Sequence, residues 1–155
     1  MSRKKPADIL MEALTMRLIQ RERLTFIDID EERNEILLTT ETGNVILIHH
    51  NQDCCESVII ESIDGEAKRL IGGFVDLTIE VEEGEGEVEY ECERPEASDR
   101  KLYEHWTRTT LTFTANNETL ISRWVGESNG YYSESVDIDI ISGVARIRRR
   151  KNQSR

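Results

Sequence analysis

The chain has 155 residues and a formal net charge of −11, with 33% of its residues charged. That length fits one domain with a real core. No apolar run approaches the roughly 20 residues that a membrane-spanning helix needs, which argues against an integral membrane protein. The charge is uneven: residues 54–99 hold 15 acids against 3 bases, and the rest of the chain 16 against 17. Nucleic-acid binders present a net basic surface, so nucleic acid is not an expected partner apart from the basic tail "RIRRRKNQSR" at 146–155.

The chain opens on "MSRKKPADILMEALTMRLIQRER", basic and then amphipathic, with neither a long apolar stretch nor a small-residue cleavage site, so no secretory signal is expected. Pro6 suits a first helical turn, and Asp8 and Glu12 suit the positive end of a helix dipole. Leu10, Ala13, Leu14 and Leu18, widened by Ile9, Met16 and Ile19, are the expected buried face of a helix within residues 1–23. From Leu24 the period changes to two. "LTFIDID", "NEILLTTE", "NVILIHH" and "SVIIESI" read as strands, with a hairpin at "TETGN" and a central position for the strand at 45–48. "FVDLTIEVEEGEGEVEYECE" alternates apolar and acidic residues, and its "EEGEGE" centre reads as a turn or loop between two strands. "HWTRTTLTFTAN" and "ETLISRWVGES" pair across Asn116-Asn117, and "SVDIDIIS" closes the domain. The expected architecture is α+β and predominantly antiparallel β, a curled sheet, barrel or sandwich with an N-terminal helix. It comprises the helix at 1–23, a single β-rich domain at 24–145 and a basic, disordered tail at 146–155.

Two polar stretches carry the candidate chemistry. "HHNQDCCESV" at 49–58 packs two histidines, acids and adjacent cysteines into ten residues. Zinc sites use spaced pairs such as C-x-x-C, and neighbouring side chains diverge on a strand or helix, so no metal is assigned. A nucleophilic cysteine would need a fixed base and an oxyanion hole, which the sequence does not supply, so no catalytic residue is assigned. Adjacent cysteines form a poor disulfide framework, and Cys54 and Cys55 are expected to be reduced thiols facing different environments. The alternative is a turn in which Asn51 and Asp53 bond their own backbone.

"RWVGESNGYYSES" at 123–135 gathers a cation, three of the chain's nine aromatics and a turn pair, Asn129-Gly130. The candidate binding residues are His50, Gln52, Asp53, Glu56, Arg123, Trp124, Glu127, Asn129, Tyr131 and Tyr132. Each stretch carries more polar groups than its own turn satisfies. They are therefore expected to form one patch, with Arg123 meeting Asp53 or Glu56.

The motifs H-x-Q-D-C-C-E-x-V-x-I-E-x-I-x-G at 50–65 and R-W-x-G-E-S-N-G-Y-Y-S-E-S-V at 123–136 resemble a family of small uncharacterised proteins encoded mainly by tailed bacteriophages and prophages. The resemblance covers roughly residues 35–140. It implies a phage origin and the cytoplasm of an infected bacterial host, and it implies no cofactor or catalytic residue.

The expected function is a non-catalytic accessory protein that binds a host or phage protein, inhibiting a host or defence factor, with the acidic block as its protein-facing surface. Two alternatives stand beside it. One is a small-ligand, nucleotide-like pocket or metal- or thiol-dependent hydrolase built from 49–56 and 123–132, and the other is a virion component.

Overall fold

A computed structural model describes residues 4–96 and 100–141. The basic tail at 146–155, residues 142–145 and the first residues of the basic N-terminus lie outside the described residues.

Helix α1 spans Pro6–Arg21 and begins at its proline, with the Asp8 carboxylate accepting the Lys5 backbone N–H at 3.3 Å. Eight strands follow: β1 Leu24–Ile29, β2 Glu35–Thr40, β3 Val45–His49, β4 Ser57–Asp64, β5 Asp76–Glu85, β6 His105–Ala115, β7 Glu118–Ser128 and β8 Asp137–Ile141. They form two antiparallel four-stranded sheets, β1-β2-β3-β8 and β4-β7-β6-β5. This is the expected α+β class with its N-terminal helix, and the β part is two sheets over one core rather than a closed barrel. Ile36, Leu38, Ile46 and Ile48 from the first sheet share that core with Ile60, Leu77, Leu111, Phe113 and Trp124 from the second. β3 is central and buried throughout, as its two apolar faces require. The β6–β7 hairpin turns on Asn116 and Asn117, both with positive φ, the pairing that matches strand twist in a two-residue loop.

Two expectations need correction. α1 does not bury its most apolar line. Thr15 and Ile19 are buried and Met16 packs beside them, whereas Ile9, Leu10 and Leu14 remain 57%, 60% and 46% exposed. The helix docks on β8 and β5, and the side facing them carries Glu12, which is neutralised by an ion pair with Lys4. Partnering makes a polar docking face tolerable there, which hydropathy alone does not register.

The acidic centre is no turn either. Glu82, Glu83, Gly84 and Glu85 continue β5 and pair with Arg108, Thr107, Trp106 and His105 of β6. The following segment, 86–96, is not a strand but folds over the second sheet. Val88 is buried, Glu89 O accepts from Arg108 Nη2 at 2.7 Å, and the Glu91 N–H reaches Glu61 Oε2 at 3.3 Å. Val88 is buried and Tyr90 and Arg94 reach Glu127 of β7, while the intervening Glu89, Glu91 and Glu93 are exposed.

Candidate functional site

The decapeptide folds around Glu56, whose side chain is fully buried. Its Oε2 lies 2.6 Å from His50 Nε2 and accepts the Asp53 N–H at 2.9 Å, while Oε1 accepts the Cys54 N–H at 2.8 Å. Burial pushes the Glu56 carboxyl up. The hydrogen bonds from His50 and from the Asp53 and Cys54 backbone outweigh it, holding the group below the usual carboxylate value. His50 Nδ1 in turn donates to Ser135 O at 2.7 Å, so the clasp reaches the loop between β7 and β8. Gln52 Nε2 donates to Glu56 O at 2.7 Å, and Tyr103 Oη donates to Cys55 O at 2.6 Å.

Within this turn Cys54 and Cys55 are joined as a vicinal disulfide, with Cα atoms 3.7 Å apart, and Cys92 is the free thiol. The expectation of reduced thiols facing different environments is therefore wrong. Divergence of neighbouring side chains assumes strand or helix geometry. Here Glu56, by fixing consecutive N–H groups, bends the backbone so that both sulfurs lie on one side. Bonded to each other, neither sulfur is a thiolate nucleophile.

The two polar stretches do meet. Ser57 stands opposite Glu127 and Val58 opposite Gly126 in the β4–β7 ladder, and His50 touches the loop at Ser135. They do not form one patch. Arg123 is opposite Ser62, four residues along β7 from Glu127, roughly 13 Å at strand rise. It does not pair with Asp53 or Glu56, because Glu56 is already filled by His50 and backbone donors. Trp124 is fully buried in the core, its Nε1 donating to Ser122 Oγ at 3.2 Å. Glu127 is buried and bound by Tyr90 Oη and by Arg94 Nη2, the latter at 2.8 Å. Asn129 caps its own turn by accepting the Tyr131 N–H at 2.9 Å. Tyr131 is 83% exposed and rests edge-on against Tyr132.

Several participants lie inside the singled-out stretches and motifs but are not among the candidate residues. Glu61 is buried and held by Arg108 through Nε at 2.6 Å, which raises the Arg108 pKa. Glu134 is buried and takes bonds from Thr107 Oγ1 at 2.7 Å, His105 Nδ1 at 2.8 Å and Ser128 Oγ. Gly126 makes room for it, since a Cβ there would lie 2.8 Å from Glu134 Cβ. His49 reaches Asp139 Oδ2 at 2.7 Å. Glu61 and Glu134 fall inside the two motifs, so much of each motif is buried carboxylate and the space it needs.

What remains open to solvent is a groove of about 1050 Å³ between the β1–β2 turn and the clasp. Asp30, Glu31, Glu32, Glu35, Glu56 and Glu96 line it, with the disulfide, Gln52, both adjacent histidines, Val58, Ile59 and Tyr103, and among the described residues no lysine or arginine lines it. Gln52 is thus the member of the expected set that is both exposed and on the groove wall. Among the described residues no three His, Cys, Asp or Glu side chains converge as metal ligands. No helix of the described residues is long and apolar enough to cross a membrane.

The fold and site thus define a two-sheet α+β domain whose ends are tied by buried carboxylates beside an acidic groove. The chain belongs to the family described as a domain of unknown function (DUF7448), which it matches over residues 13–138. The match begins inside α1, so the family's extent includes part of the helix that the motif resemblance omitted. No curated protein and no solved structure matches the chain.

Proposed function

We propose that this protein is a non-catalytic binding protein of phage origin that engages a host or phage protein in the cytoplasm of an infected bacterium, and that the acidic groove holds the partner. The observation that supports this reading most is the composition of the groove wall, where the described residues supply carboxylates and no lysine or arginine. Such a surface attracts a cationic segment and repels phosphate, which weighs against a nucleotide-like ligand. The exposed acids of β5 and of 86–96 extend the same field over the second sheet. The clasp gives the groove a rigid wall, so little ordering accompanies binding.

Capture from host lysate tests the reading with wild-type protein beside the charge-reversed pair Glu31→Lys/Glu32→Lys, both exposed positions. A stoichiometric partner held by the wild type and lost by the variant at ordinary salt is the expected result. Equal capture by both removes the groove from the interaction.

A further inference from the structure

Sheet edges carry unpaired backbone groups, and folded proteins cover or block them. Of the four edges here, β8 and β5 pack against α1. β4 is engaged at Ile60, whose N–H donates to Arg33 O at 2.7 Å, and Gln52 Nε2 occupies Glu56 O just ahead of it. β1 is different. Asp30 N–H donates to Glu35 O at 3.1 Å, so Asp30, Asp28 and Phe26 direct their backbone groups toward β2. Ile27 and Ile29, at alternate positions, direct theirs away from the sheet. Among the described residues, none of those four N–H and C=O groups has a hydrogen-bond partner.

We propose that the free edge of β1 accepts an extended basic segment of a partner protein as an added strand, bonded to the backbone of Ile27 and Ile29. The inference rests on the groove reading, because β1 runs directly into Asp30, Glu31 and Glu32, the wall of the groove. Strand addition draws affinity from main-chain bonds and specificity from side chains at alternate positions. The side chain between the two open residues is Asp28, exposed, and beyond the strand lie more exposed carboxylates. A lysine or arginine opposite Asp28 forms a favourable cross-strand pair. A second copy adding symmetrically would set two Asp28 carboxylates side by side, so the charge that admits a basic strand turns away this chain itself.

Amide hydrogen exchange on the full chain, with a short peptide of alternating lysine and valine as probe, tests this. The Ile27 and Ile29 amides are expected to exchange fast in the free protein and to slow about tenfold or more with peptide bound. N-methylation of alternate peptide residues is expected to weaken binding by about tenfold, from the lost main-chain bonds. Asp28→Lys, at an exposed position, is expected to weaken it by about threefold without altering the circular dichroism. The proposal is overturned if those two amides are already protected in the free chain, which would mean that another part of the chain or a second copy holds the edge. It is equally overturned if the peptide protects only the groove residues near Glu31, Glu32 and Gln52, an outcome that leaves the groove reading standing. Binding of neither this peptide nor spermine removes both.

Discussion

Glu56 is the residue on which the site's geometry turns. Its carboxylate fixes the Asp53–Cys54 backbone, orients His50 and, through His50, holds the β7–β8 loop at Ser135. Glu56→Ala leaves His50 and the N–H groups of Asp53 and Cys54 without their acceptor. It is expected to destabilise the fold by about 3–5 kcal/mol in urea denaturation, the usual result of removing one partner of a buried pair. Because the Glu56 pKa is depressed in the folded state, its stabilising contribution is fully present above the unfolded carboxylate pKa. It is lost as pH falls through the lower folded value. Wild-type stability should therefore decline on acidification through and below the ordinary carboxylate range, and Glu56→Gln should flatten part of that slope; an unchanged slope would remove Glu56 as a contributor. At the same turn, native protein should show one titratable thiol, Cys92, and three after reduction. Three thiols without reductant would contradict the vicinal disulfide.

At the scale of elements, periodicity located the strands well because alternate apolar residues must face the shared core, as Leu111, Phe113 and Ala115 do in β6. The same reasoning misplaced the helix face, since docking on β8 and β5 is decided by shape and by the Lys4–Glu12 pair. Leu10→Lys is accordingly expected to change stability by less than about 0.5 kcal/mol, whereas Ile19→Ala should cost about 2–5 kcal/mol. Thermal or urea unfolding of the two variants checks this, and comparable losses would mean that the apolar line Ile9, Leu10 and Leu14 is covered after all. The candidate site was half legible. The unusual density of polar residues at 49–58 and 123–135 singled out two segments that the fold brings together in the β4–β7 ladder and at Ser135. Their pairing partners were not readable, because Arg94 and Arg108 come from other elements to hold Glu127 and Glu61, while His50 and backbone N–H groups fill Glu56, which Arg123 was expected to meet. The disulfide was missed for a related reason, since it depends on a turn that Glu56 imposes from outside the cysteine pair.

For the molecule as a whole, the uneven charge of the sequence divides into two roles that composition cannot separate. Glu56, Glu61, Glu127 and Glu134 are buried and hydrogen-bonded by local partners, and they hold the sheet ends together. Asp30, Glu31, Glu32 and Glu96 line the groove and give it its sign. The most direct test is an amide-exchange footprint of the full chain bound to the partner it captures from host lysate. Protection concentrated at 27–35 and 52–59, and weakened by added salt, is the result the groove and β1 edge predict. Protection confined to the exposed face of α1 or to the turn at Asn129 and Tyr131, with 27–35 and 52–59 unchanged, would contradict it.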